Sequence, residues 1–251
     1  MPFAFPLESR TPDLGLPDDL LETLESARFG VQYEPIVEIA SGERLAFEAL
    51  ARFHRADGEA LPPGSVFSLL HAAPSLLLET ELALKRLQLE RAPEHTLFVN
   101  LDPDSFAADP SGGAELLSVL TSARLDVVVE ATENLDAADA RRGRLMVAAL
   151  EEAGLPFALD DIGADGALLS FDLLARADYL KLDRSILRAP REPRRLALVE
   201  ALVRMCARTG ARPILEGVET IADLALARDL GIPLVQGYLF RESFVQVTSS
   251  R

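Results

Sequence analysis

Tryptophan is absent from the 251 residues, and cysteine occurs once, as Cys206. A lone cysteine excludes an internal disulfide and any cysteine-built zinc centre. It lies in Leu202-Val203-Arg204-Met205-Cys206, which has a helical look, so a packed core thiol is expected rather than a nucleophile. Positive charge is scarce: 25 Lys and Arg face 40 Asp and Glu, a net charge of −15. That balance argues against a DNA or RNA polymer as partner, which calls for a basic surface, and against electrostatic attachment to a membrane. A small anionic ligand is still allowed, because metal ions can invert the local field. No apolar run reaches membrane-spanning length. The opening Met1-Pro2-Phe3-Ala4-Phe5-Pro6 lacks the basic residues and long apolar core of a signal peptide, so a cytoplasmic location is expected. What is present, 49% hydrophobic and 26% charged residues, is the balance of a soluble globular protein long enough for one barrel domain.

Residues 1–27 are polar, carry four prolines and end in a short amphipathic segment, Leu20-Leu21-Glu22-Thr23-Leu24. They are expected to form an N-terminal extension with one helix, followed by a single domain over 28–251. Strand-like runs at 31–39 and 44–50 are joined through Ser41-Gly42, a connection so short that the two strands must be antiparallel. Helices are expected at 65–71 and 75–91, the second with leucines at helical spacing. Strands at 96–100, 126–130, 156–160, 179–181, 212–216 and 234–236 then alternate with helices at 114–123, 137–153, 167–174, 193–209 and 221–230. Continuous apolar strands alternating with helices imply a parallel sheet buried on both faces. Eight such strands predict an α/β fold, a (β/α)8 TIM-like barrel with an antiparallel first strand.

The strand Phe157-Ala158-Leu159 stops abruptly at Asp160-Asp161, followed by Ile162-Gly163. Alone, that pair reads equally well as a helix cap or an acidic loop start. The other strands, however, also finish on polar residues: Glu48, Asn100, Glu130, Lys181, Glu216 and Gln236. Singly, Glu48 reads as a surface acid, Lys181 as a salt-bridge partner and Asn100 as a cap. In a barrel they converge on the rim where active sites sit, and so many carboxylates would repel strongly without cations. Oxygen ligands from Glu, Asp and Asn suit Mg²⁺ or Mn²⁺. None of His54, His71 and His95 ends a barrel strand, which weighs against zinc. Two hard metal ions beside a lysine suit attack of water on a phosphodiester.

These residues resemble the EAL domain, a family of cyclic di-GMP phosphodiesterases. Glu48-Ala49-Leu50, with Arg52 following, matches the name-giving motif. Tyr33-Glu34-Pro35-Ile36-Val37 is similar to the family's opening strand, with Glu34 where glutamine is usual. Val99-Asn100-Leu101, Glu130-Ala131-Thr132-Glu133, Asp160-Asp161-Ile162-Gly163 and Lys181-Leu182-Asp183 match further blocks in order. Glu216-Gly217-Val218-Glu219-Thr220 and Gln236-Gly237-Tyr238-Leu239-Phe240 complete a resemblance over roughly 28–244. It implies that Glu48, Asn100, Glu130 and Asp160 hold one metal ion, and that Asp160 bridges to a second held with Asp161 and Glu216. By the same resemblance Lys181 orients the attacking water, Gln236 hydrogen-bonds beside it, and Arg52 and Leu50 meet the substrate. Glu133 would brace the loop after Asp161, and Glu219 would support as a further acid. The implied reaction is hydrolysis of cyclic di-GMP to linear 5′-pGpG by a metal-activated water, with Mg²⁺ or Mn²⁺ in a two-metal site and a homodimer as the assembly.

After the aspartate pair the family usually continues Phe-Gly-Thr-Gly-Tyr-Ser-Ser, whereas this chain has Ile162-Gly163-Ala164-Asp165-Gly166-Ala167-Leu168. The hydroxyls and the aromatic are gone, and the proline common near the end is replaced in Arg241-Glu242-Ser243. A second reading rests on that loop: a catalytically weak EAL-like domain acting as a cyclic di-GMP receptor or protein-interaction module. A third, a barrel enzyme acting on another phosphorylated metabolite, fits the ordered blocks poorly.

Overall fold

The computed structural model describes residues 16–132, 137–166, 169–188 and 193–248. The chain enters through helix α1 (Asp18–Glu25), whose Leu20 and Leu24 are buried in the main core. Strands β1 (Phe29–Glu38) and β2 (Arg44–His54) form a long antiparallel hairpin, as their short connection requires. A two-residue strand, β3 (Ala60–Leu61), pairs with the far end of β2. Helices α2 (Pro63–Leu70) and α3 (Pro74–Glu90) lead to β4 (Thr96–Asn100). Then come α4 (Pro103–Ala108), α5 (Ala114–Thr121), β5 (Val127–Thr132), α6 (Ala137–Glu152), β6 (Phe157–Ile162), α7 (Phe171–Arg176) and β7 (Tyr179–Leu182). The short α8 (Ser185–Arg188), α9 (Pro193–Thr209), β8 (Arg212–Leu215), α10 (Ile221–Asp229), β9 (Leu234–Val235), a 3-10 helix (Tyr238–Ser243) and β10 (Val245–Thr248) finish the chain.

Strands β2, β4, β5, β6, β7, β8 and β9 are parallel neighbours in that order. The first strand closes the ring by pairing antiparallel with both β2 and β9. The expected barrel with an antiparallel first strand is therefore present. Two strands lie outside the runs expected from the sequence: β3, and β10, which pairs with the outer part of β1. Both extend the hairpin where it overruns the barrel. The expected end of β2 near Glu48 also needs correcting. The strand continues to His54 because its antiparallel partner carries it on, Phe29 facing Phe53.

The barrel interior is a small apolar layer of Ile36, Ala46, Phe98, Val128, Ala158, Ile214 and Leu234, with Tyr179 packed against it. Side chains alternate faces along a strand, so one pleat higher the inward positions are Glu48, Asn100, Glu130, Asp160, Lys181, Glu216 and Gln236. On the antiparallel β1 the matching position is Glu34, which lies opposite Glu48. The larger core lies outside the ring, between strands and helices, and includes the buried Cys206, whose thiol burial pushes up to about 11. No helix among the described residues is long and apolar enough to cross a membrane.

Candidate metal centre

The aspartate pair sits at a defect in the sheet. Along β6 and β7, Leu159 pairs with Leu180 but Ile162 pairs with Leu182, so β6 holds one residue more than its neighbour. The extra residue is Asp161, with φ of 57°. Aspartate is one of the few side-chain-bearing residues that tolerate the left-handed region. The bulge keeps Asp160 inward, places Asp161 at the rim and returns Ile162 to the helix-facing core.

At the centre stands Lys181, completely buried. Its Nζ lies 2.7 Å from Glu130 Oε1, 2.8 Å from Glu216 Oε1, 3.2 Å from Asp160 Oδ1 and 3.3 Å from Glu48 Oε2. Glu48 also accepts hydrogen bonds from Asn100 Nδ2 at 3.1 Å and Gln236 Nε2 at 2.5 Å. The backbone N–H of Asp161 donates to Asp160 Oδ1 at 3.0 Å. Gly237 lets the end of β9 approach closely, since a Cβ there would stand 2.4 Å from the Val218 backbone. That approach is held by the Val218 N–H, which donates to the Gln236 carbonyl at 3.0 Å.

The electrostatics follow from five acids gathered around one ammonium. Burial, with Glu48 and Asp160 adding repulsion, holds the Glu130 carboxyl well above the usual range. Burial also raises Asp160 and Asp161, and it pushes Glu216 up to about 8. Glu48 goes the other way: burial opposes ionisation, but Lys181, Gln236 and Asn100 together bring it below its ordinary value. For Lys181 burial disfavours the charge, yet Asp160, Glu130, Glu216 and Glu48 outweigh it and keep the ammonium protonated.

Two acid groups have ligand atoms within 4.8 Å of one another: Glu48, Glu130 and Asp160, and Asp160, Asp161 and Glu216. Asp160 belongs to both. The Glu130 side chain is sealed from solvent; Oε1 has Lys181 as its partner, and Oε2 receives no hydrogen bond among the described residues. An all-oxygen donor set with an unpaired buried carboxylate oxygen, and more acids than the one ammonium can offset, fits a pair of hard divalent ions.

The structure thus gathers Glu48, Asn100, Glu130, Asp160, Asp161, Lys181, Glu216 and Gln236. Glu133 lies outside the described residues. Glu219 does not enter the buried group; it is half-exposed and pairs with Arg188 at 3.0 Å. Leu50 and Arg52 border a cleft of about 340 Å³ beside Asn100, together with Phe67, Lys85 and Gln88. Arg52 reaches Glu34 Oε1 at 3.4 Å. Glu34 is a rim acid that the strand-end count missed, and its signal was its place two residues before the inward Ile36. A larger cavity, about 650 Å³, lies at the strand starts at the opposite end and contains none of these residues. The exposed group His71, Asp102 and Asp104 is engaged otherwise: Asp102 caps α4 and bonds His71, and Asp104 pairs with Arg142.

The EAL domain family profile matches residues 18–243. The cyclic di-GMP phosphodiesterase NbdA of Pseudomonas aeruginosa is 28% identical over 243 residues, covering 92% of this chain and 31% of NbdA. The cyclic di-GMP phosphodiesterase RocR of the same organism is 27% identical, covering 88% of this chain and 59% of RocR. This chain therefore spans only part of the length of these curated relatives. Among solved structures, a manganese and cyclic di-GMP complex of Klebsiella pneumoniae BlrP1 is 28% identical with a TM-score of 0.68, covering 90% of this chain and 62% of BlrP1.

Proposed function

This chain belongs to the EAL domain family, and from that premise we propose that it is a metal-dependent phosphodiesterase opening cyclic di-GMP to linear 5′-pGpG. The observation that carries the proposal is Asp160, shared between two acid groups at the mouth of the barrel. Glu48, Asn100, Glu130 and Asp160 would hold one divalent ion, and Asp160, Asp161 and Glu216 the other, with Mg²⁺ or Mn²⁺ suited to that oxygen set. The ions, when bound, would supply an activated water and neutralise charge developing on the phosphate.

The protein's own groups define the rest. In the metal-free protein its four carboxylate neighbours hold Lys181 as an ammonium, a donor able to orient water or a phosphate oxygen. Gln236 donates to Glu48 and has its Oε1 without a partner among the described residues, an acceptor able to hold a water O–H. Arg52 presents a planar fork for a phosphate. The cleft beside it offers Phe67, Leu84 and Leu101 as apolar walls. The resemblance carries a homodimer with it, which sedimentation would test. The reaction itself is tested by chromatographic detection of pGpG from cyclic di-GMP with Mg²⁺ or Mn²⁺. Binding without turnover would instead favour the receptor reading.

A further inference from the structure

The segment from Ile162 to Gly166 follows the aspartate pair and contains no hydroxyl or amide side chain. It has little means of bracing itself, yet it carries Asp161 in a left-handed conformation that a free loop would leave readily. The brace comes from outside. The Gly163 carbonyl accepts from Ser185 Oγ at 2.9 Å and from Arg195 Nη2 at 2.9 Å. Arg195 Nη2 also donates to Ser185 Oγ at 2.6 Å, closing a triangle of three polar atoms. Ser185 opens α8 and Arg195 lies in the first turn of α9, so one carbonyl is tied to two separate helices. Within the loop, the Ala164 N–H donates to the Asp161 carbonyl at 3.0 Å, which couples the pinned carbonyl to the aspartate two residues earlier.

We propose that Arg195, acting with Ser185, is a positioning residue for Asp161, and that this clamp sets the affinity of the second metal subsite. The proposal rests on the two-metal reading above. Arg195 touches neither an ion nor a reacting atom. It fixes where the Asp161 carboxylate stands relative to Asp160 and Glu216. Partners that orient a metal ligand from behind typically change affinity by about tenfold to a hundredfold when removed.

The test is a calorimetric Mn²⁺ titration of metal-free protein: wild type, Arg195→Ala, Arg195→Lys, Ser185→Ala and, as control, the exposed neighbour Arg194→Ala. Wild type and control are expected to bind two ions alike. Arg195→Ala is expected to lose about tenfold in affinity for the weaker ion only, with Arg195→Lys intermediate. Amide exchange of residues 162–166 should quicken in Arg195→Ala while the melting temperature stays near wild type. In turnover, kcat at limiting Mn²⁺ should fall, recover at saturating Mn²⁺, and leave KM for cyclic di-GMP unchanged. If Arg195→Ala does not fold, Ser185→Ala carries the same expectations. Wild-type binding of two ions with both clamp variants titrating identically would overturn the clamp alone. A wild type that binds no Mn²⁺ would overturn the metal reading and the clamp with it.

Discussion

Lys181 Nζ lies 2.7 Å from Glu130 Oε1, and both side chains are sealed from solvent. The ion pair sits one pleat above the apolar plug of the barrel, where water cannot replace either partner. The carboxylates around it tolerate one another in the metal-free protein through this ammonium, while burial and mutual repulsion raise Glu130 and Glu216 above the usual carboxylate range.

Replacing Lys181 by methionine should therefore act on stability and on chemistry. Removing one partner of a buried ion pair costs about 3–5 kcal/mol, so metal-free Lys181→Met should unfold at clearly lower denaturant than wild type. Divalent ions should recover part of the loss, while turnover stays down by about a hundredfold or more. Denaturant titrations with and without Mn²⁺, paired with kinetics, check both halves.

The raised carboxylates predict a pH dependence. Glu216 is shifted up to about 8 from an ordinary 4.5, and Glu130, Asp160 and Asp161 move in the same direction. The folded protein then binds protons that the unfolded chain has released. Their contribution is complete below the unfolded values and is lost as pH rises through the folded ones. The melting temperature of metal-free protein should fall between about pH 4.5 and about pH 8. Saturating Mn²⁺, which takes the place of those protons, should flatten the fall. A metal-free melting temperature that rises over this range would contradict the assignment.

Glu34 pairs with Arg52 at 3.4 Å, at a position where the resembling family usually has glutamine. An anionic ligand approaching Arg52 is repelled by that carboxylate, and must compete with it for the guanidinium. Glu34→Gln should lower KM for cyclic di-GMP by about fivefold, the scale of a partly exposed ion pair, with kcat little changed. Raised salt should narrow the difference. Steady-state kinetics at two ionic strengths would show it.

Leu24 on α1 is almost wholly buried in the main core. Leu24→Ala should cost about 2–5 kcal/mol, measurable by chemical denaturation. A cost near zero would mean that α1 does not contribute to the stability of the barrel.

Much of this was legible in the chain. Apolar runs ending on Asn100, Glu130, Asp160, Lys181, Glu216 and Gln236 reveal both the barrel and its rim, because strand periodicity and a hydrophobic interior leave those positions no other place. Glu48 is an inward position as its pattern indicates, but β2 continues past it, since a long hairpin partner can extend a strand beyond what its own pattern suggests. The bulge at Asp161 was hidden, for it depends on a backbone angle and a pairing offset that no local pattern encodes. The two-residue β3 is too short to show a period. Arg195 lies 32 residues from the carbonyl it holds, and only the folded chain brings them together.

The proposed reaction depends on metal ions held by the acids that share Asp160. Its most direct test is to strip the protein with chelator, titrate in Mn²⁺ and follow cyclic di-GMP by chromatography. No product is expected without metal; linear pGpG should appear as the second ion binds and be lost in Asp160→Asn. Wild-type protein that binds cyclic di-GMP and two Mn²⁺ ions yet forms no pGpG would contradict it.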